Sequence, residues 1–331
     1  MANPLFFNRE ESDHAEEFRR CLPVNVNTSF ATLAPAIATA EHHYLLPVLG
    51  DSLYNEAATY YANNGTRDTG SPLHGLVELI QMAAVRLAYW DSFDQLAVMI
   101  GDRGLSDAGG ENRAYRYQAD ALRKSLCQQG FFYLNRVIEY CTDHIDALAA
   151  FATSPYYTQR QESVIHSLRE FCQFVPVEGD FYLFSRLRSE IEETETLELP
   201  YRIGNSLATL LRTDRTQERL AQLLRPAQGF VAHWTMAECL PVLSTMLDAD
   251  GLQVSTETGS GGRVRQPATP QQTEEQVRWH RARAERYIGL LVAYCKGNLA
   301  LYPEIAEIGT TTDKEKTASA RSNRGKKTFV A

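Results

Sequence analysis

None of the six cysteines, Cys21, Cys127, Cys141, Cys172, Cys239 and Cys295, stands in a C-x-x-C pair, and most sit among apolar helical positions. Their scatter gives no zinc motif and predicts buried free thiols in a reducing compartment. A basic region followed by an apolar run is also missing from the acidic stretch Met1–Arg20, so no secretory signal is expected. The sequons Asn27-Thr28-Ser29 and Asn64-Gly65-Thr66 are then left without a pathway. No long apolar segment is free of charge: Leu73–Ile100, the most apolar stretch, carries Glu78, Gln81, Arg86, Asp91 and Asp94, which predicts a core helix and no membrane span. Finally, the chain has no excess of positive charge. A formal net charge of -8 excludes a protein that wraps nucleic acid by neutralising phosphates over its whole surface.

What the sequence does contain is ordinary globular composition, with 44% hydrophobic and 22% charged residues over 331 positions. That length suffices for two domains, each with its own core. Ser71-Pro72 supplies an N-cap and a first-turn proline, and Leu73, Leu76, Val77, Ile80, Ala84, Leu87 and Ala88 then recur at helical spacing until Gly101-Asp102-Arg103-Gly104. A second helix is expected over Asn112–Cys127, with a break near Gly130, and a third over Phe131–Phe151, stopped by Thr153-Ser154-Pro155.

The chain also matches itself. At a shift of 154 residues Phe30 meets Phe184, Leu33 meets Leu187, Ile37 meets Ile191, Glu41 meets Glu195, Gly50 meets Gly204 and Leu53 meets Leu207. The same shift returns where Leu134, Val137, Ile138, Tyr140 and Cys141 face Ile288, Leu291, Val292, Tyr294 and Cys295. Between these stretches the register slips by about ten residues, with Trp90 answered by Trp234 and Gly104 by Gly251, and the loop Asp248–Thr273 restores it. Any two amphipathic helices match at apolar positions. The paired glycines decide for duplication, because a left-handed helix stop does not follow from amphipathicity. The expected fold is therefore all-α, with two tandem copies of one helical module. Residues 1–22 form an N-terminal arm, 23–154 the first module, 155–309 the second and 310–331 a basic disordered tail.

A search for chemistry returns no catalytic, cofactor or metal site. Gly259-Ser260-Gly261-Gly262 is followed by Pro267 and Pro270 where a phosphate loop needs a helix and a lysine. Asp248-Ala249-Asp250-Gly251 lacks the later ligands of a calcium loop. Adjacent His42 and His43 point about 100° apart on a helix and cannot chelate one ion, and Asp143-His144 and His280 have no assignable partner. The acidic run Glu190–Glu195 reads as a solvated helix face. The large aromatics Tyr89, Trp90, Tyr115, Tyr117, Trp234 and Trp279 read as core or subunit interface, and are kept as interface candidates. Lys326, Lys327, Phe329 and Val330 are kept as docking candidates in the tail. Gly50 and Gly204 are predicted to end helices, with Asp51-Ser52 and Asn205-Ser206 capping the next ones.

The stretch from Ala40 to Tyr54 resembles the opening helix and stop of a helical virion-protein family from phages of Bacteroidetes. So do Leu76–Gly104, through Ala88-Tyr89-Trp90, and the segment Ala114-Tyr115-Arg116-Tyr117-Gln118. That family is similar in helical pattern to the head-tail connectors, or head-completion proteins, of long-tailed phages. The resemblance implies a virion structural protein made in the bacterial cytoplasm and placed at the neck. It would be a homo-oligomeric ring that meets portal and tail or stopper proteins and lets DNA pass through its lumen without sequence-specific binding. No enzyme activity, cofactor or membrane contact follows from it. The alternative is a non-viral helical-repeat interaction module that binds a peptide in the groove between modules.

Overall fold

The computed structural model describes residues 5–7, 17–22, 30–63, 70–96, 98–101, 104–107, 116–177, 180–246, 253–257, 263–267 and 269–305. These fall into two compact units. Unit 1 comprises Met1–Gln161 and Val177–Arg186, and unit 2 comprises Glu162–Pro176 and Leu187–Ala331. The expected division at Ser154 is displaced to Gln161, and the expected separate arm contributes Phe6, Phe7 and Phe18 to the first unit's core.

In the first copy the main helices are α1 (Phe30–Ala40), α2 (Leu46–Asn63), α3 (Pro72–Asp91) and α4 (Arg116–Asp143). In the second they are α5 (Phe181–Glu193), α6 (Leu199–Ile203), α7 (Asn205–Thr213), α8 (Ala221–Met246) and α9 (Pro270–Gly297). In each copy the two longest helices pair most extensively, α3 with α4 and α8 with α9. The stripe Leu76, Ile80, Ala83, Ala84 and Leu87 on α3 is buried, as its spacing requires. α4 and α9 begin and end 154 residues apart, so the shift read from sequence holds across whole helices. Each copy also has a short antiparallel hairpin before its last long helix. β1 (Val98–Gly101) pairs with β2 (Gly104–Asp107), and β3 (Gln253–Glu257) with β4 (Arg263–Pro267). The fold is thus two tandem helical modules, each interrupted at the same place by a two-stranded excursion.

Several local expectations are corrected. α3 stops at Asp91, and Val98-Met99-Ile100 is a strand, because a short apolar run carries no periodicity that separates strand from helix. α4 passes through Gly130 unbroken. A Cβ there would stand 2.8 Å from Leu87 Cδ2, so this glycine lets α3 and α4 approach and does not end a helix. Gly50 and Gly204 do mark the kinks, with φ of +74° and +88°. Their ψ values of 158° and 151° lie outside the left-handed helical region, in the extended positive-φ region open almost only to glycine. The helix restarts at once after each glycine. Gly204 itself occupies the N-cap of α7 with no side-chain cap, so Asn205-Ser206 does not cap it as expected.

Candidate functional site

The strongest chemical feature of both modules is a buried glutamate where an α-helix widens into one π-turn. In the first module Glu41 opens the π-turn Glu41–Leu45, and in the second Glu195 lies in Thr194–Glu198. Pro47 and Pro200 follow closely in the next helix. A proline has no N–H to close a normal i to i−4 bond, and this favours a widened turn just before it. Both carboxylates are 1% exposed.

Each carboxylate accepts hydrogen bonds from the backbone of an apolar strap that precedes its module. Leu5 N–H donates to Glu41 Oε2 at 2.8 Å, Phe6 N–H to Oε1 at 3.4 Å and the Tyr54 hydroxyl to Oε2 at 3.4 Å. Val164 and Ile165 N–H donate to Glu195 Oε1 at 2.9 and 3.1 Å, and the Ser163 hydroxyl lies 2.9 Å from both Glu195 oxygens. A glutamine on the neighbouring long helix completes each clamp. Gln81 Nε2 donates to Phe6 O at 2.8 Å, and Gln228 Nε2 donates to Val164 O at 3.2 Å. The strap side chains are sunk in the core, with Phe6, Phe7, Val164 and Ile165 all 0% exposed. Burying a phenylalanine stabilises by about 2–3 kcal/mol, so Phe6 and Phe7 anchor the strap in unit 1.

Burial pushes the carboxyl of Glu41 up to about 7, against the backbone N–H donors of Leu5 and Phe6 and the Tyr54 hydroxyl, which favour the charged form. Burial likewise raises Glu195 to about 7, opposed by Ser163, the two strap amides and the Arg188 charge. Arg212 Nε stands 3.9 Å from Glu195 Oε2. Glu195 is therefore not part of a solvated acidic face, as the run Glu190–Glu195 suggested; only a strap distant in sequence hides it. Beside the first clamp, a cavity of about 180 Å³ is lined by Glu17, Arg20, Tyr61, His74, Glu78 and Gln81. Within it the Tyr61 hydroxyl donates to Glu17, and His74 sits 3.5 Å from Glu78.

The clamps fix how the copies correspond. Gln81 and Gln228 are 147 residues apart, so between α3 and α8 the register slips by seven residues. The match of Trp90 with Trp234 is accordingly incorrect. The same offset places Arg86, over the Tyr133 ring at 4.5 Å, opposite His233, which stacks on Tyr287 at 5.7 Å. It also sets buried Ala88 opposite Thr235, while the 154-residue shift sets buried Ala40 opposite Thr194; the two threonine hydroxyls lie 3.3 Å apart.

His280, without an assignable partner in sequence, meets His233 with Nδ1 to Nδ1 at 3.0 Å. One ring must donate and the other accept, so the two carry opposite tautomers. Burial lowers both to about 4, and for His233 the neighbouring His280 and Arg283 add to the effect. Among the described residues no group of three or more His, Cys, Asp or Glu gathers as a metal site. Nor is any helix among them long and apolar enough to cross a membrane.

The interface candidates disperse. Tyr89 is half-buried against Phe18 at 6.1 Å, and Trp90 is half-buried among Tyr44, Phe131 and Tyr182. Trp234 is 8% exposed, packed on Phe230 with the Arg202 guanidinium over it, so it offers no surface to a partner. Trp279 is exposed, with Arg283 5.1 Å over its ring. Tyr117 lies in the first turn of α4, while Tyr115, Lys326, Lys327, Phe329 and Val330 fall outside the described residues.

A kinked helix carrying a buried glutamate, a strap on that glutamate and a closing helical pair, all present twice, define a duplicated helical-module protein. The model of a family of unknown function, DUF6712, matches the chain twice, at residues 45–161 and 194–315, and the chain belongs to that family. No curated protein and no solved structure matches it.

Proposed function

We propose that this chain is a virion structural protein, a head-tail connector or adaptor that forms a homo-oligomeric ring between portal and tail. The observation that carries the reading is the outer face of α9. Trp279, Arg283, Arg286, Leu290 and Tyr294 follow one another at spacings of three and four and are all exposed, with Leu299 and Leu301 exposed just beyond. An aromatic and apolar stripe flanked by arginines is the composition of a protein interface and not of a solvated helix face. The resemblance of Ala40–Tyr54 and Leu76–Gly104 to the phage family supplies the kind of assembly. The net charge of -8 suits a lumen through which DNA slides, since a strongly basic lining would hold the phosphates.

Native mass measurement and electron microscopy of the purified protein, alone and with portal protein, test this reading. Closed rings are expected, and Leu290→Glu, at an exposed position, should convert them to smaller species without loss of helicity. A protein that stays monomeric at high concentration with portal protein present would overturn it. The second reading, a helical module that binds an extended peptide, draws on the clamps: each holds an apolar segment chiefly through its backbone.

A further inference from the structure

The second module presents two exposed apolar surfaces of opposite charge. One is the stripe on α9, where Arg278, Arg281, Arg283 and Arg286 are exposed around Trp279 and Leu290, and Glu285 is the one acid between Gln276 and Lys296. The other is the corner where α5 passes through its π-turn into α6. Exposed Glu192, Leu197 and Tyr201 follow one another there at spacings of five and four, the step of a helix that holds one π-turn. Leu197 is 57% exposed, and residues 189–201 contain five glutamates and no basic residue. The clamp accounts for Glu195 alone. At the 154-residue shift Glu195 meets Glu41, whereas Glu190, Glu192, Glu193 and Glu198 meet Ala36, Ala38, Thr39 and Tyr44. Leu197 and Tyr201 meet His43 and Pro47. The acidic and apolar side chains of this corner are therefore peculiar to the second copy and are no part of the shared clamp.

The two surfaces face different ways. Arg202 of α6 donates to both carboxylate oxygens of Glu285 on α9, at 2.6 and 3.0 Å, so the corner flanks α9 on its Glu285 side. Arg286, Trp279, Leu290 and Arg283 stand about 100–160° around the helix from Glu285. A chain cannot lay its own stripe on its own corner, but a second copy can. We propose that the α9 stripe of one copy seats on the Glu192–Tyr201 corner of the next, with Trp279 and Leu290 against Leu197 and Tyr201 and the arginines among the glutamates. A stripe laid on a second stripe would set arginine against arginine, and like charges brought together oppose association. Because the contact joins unlike surfaces, it passes from copy to copy and can close a ring. The proposal rests on the reading of the protein as a homo-oligomer and names the two faces that meet.

The test uses full-length protein in two differently tagged forms, Leu290→Glu, which keeps the corner, and Leu197→Glu, which keeps the stripe. Both positions are more than half exposed, at 56% and 57%. Native mass and circular dichroism are measured on each form alone and on an equal mixture, under the conditions in which the unsubstituted protein forms rings. Each form alone is expected as a monomer of unchanged helicity. The mixture is expected as a one-to-one dimer carrying both tags and nothing larger, since one stripe and one corner are all that remain intact. Glu192→Arg, also at an exposed position, replaces Leu197→Glu should that variant lose helicity. Corner variants that form the full oligomer, or a mixture that stays monomeric, overturn the pairing and leave the ring reading standing. Unsubstituted protein that stays monomeric with portal protein present overturns both.

Discussion

Replacing Glu195 by glutamine tests whether the clamp binds a proton. The side chain is 1% exposed, and burial raises its carboxyl from 4.5 to about 7. A folded-state value above the unfolded one means that the native state holds the proton more tightly. Its stabilisation is complete below pH 4.5 and is lost as pH rises through 7. At 1.4 kcal/mol per unit, the loss over that window is about 3 kcal/mol. Glutamine keeps an oxygen for the Val164 and Ile165 amides but does not titrate, so the variant lacks this slope. Stability itself has a second pH-dependent contribution in unit 2. His233 and His280, lowered to about 4, are neutral in the fold, and their contribution is lost as pH falls from 6.5 through 4. Both proteins carry that pair, so the difference between them isolates Glu195. The assay is urea unfolding at pH 5, 6, 7 and 8, followed by the emission of Trp234 and Trp279 in a Trp90→Phe background. The native protein should lose stability relative to Glu195→Gln by about 3 kcal/mol from pH 5 to pH 8. Parallel curves, or a native protein that gains on the variant with rising pH, would show that the strap amides and Arg212 hold the carboxylate ionised, and the reasoning would fail.

The other predictions concern packing and the paired rings. Phe6→Ala removes a side chain that is 0% exposed and should cost unit 1 about 3–5 kcal/mol, read as a lower urea midpoint for Trp90 emission in a chain lacking Trp234 and Trp279. Gly50→Ala must adopt φ of +74° and bring a Cβ to 3.0 Å from that of Ser154, for a loss of about 2–3 kcal/mol by the same measurement. Gly130→Ala presses on Leu87 and should cost about 1–3 kcal/mol, read by the same urea midpoint, with helicity by circular dichroism unchanged. In nitrogen-edited spectra the imidazoles of His233 and His280 should show no protonation between pH 5 and 8.

Legibility from sequence followed the range of the interactions. The helical stripe of α3 and the 154-residue shift were visible because both are written in local spacing. Gly50 and Gly204 were visible as a repeated pair, but their ψ values were not, since a glycine in sequence records permission and not the angle chosen. Gly130 misled for the same reason: what it permits is the approach of Leu87 from another helix. Glu41 and Glu195 were aligned as a repeat without being recognised as a site. The available signal was a charged residue repeated among positions that otherwise repeat as apolar, joined by Gln81 on an apolar stripe. His233 and His280 are 47 residues apart, and no local pattern joins them.

What the two copies kept and what they changed bear on their division of labour. Both retain the kinked glycine, the π-turn glutamate and the strap-binding glutamine, the parts that hold a segment foreign to the helical pair. The outer faces of the last long helices have diverged. On α4 the positions matching Trp279, Arg283, Arg286, Leu290 and Tyr294 are Ser125, Gln129, Phe132, Arg136 and Tyr140; Phe132 is exposed, and the other four are bonded within the module. Gln129 joins Arg86 and Ser125, Arg136 pairs with Glu139 at 2.9 Å, and the Tyr140 hydroxyl donates to Pro72 O. On α9 the matching side chains include the exposed Leu290 and Tyr294. An interaction surface made by one copy alone needs such divergence, whereas a strap slot needed in both does not. Duplication followed by divergence on one face leaves the last long helices of the two copies unlike, which is what the proposed head-to-tail ring requires. A chain with unlike ends can assemble head to tail, and a ring closes only through contacts of that kind.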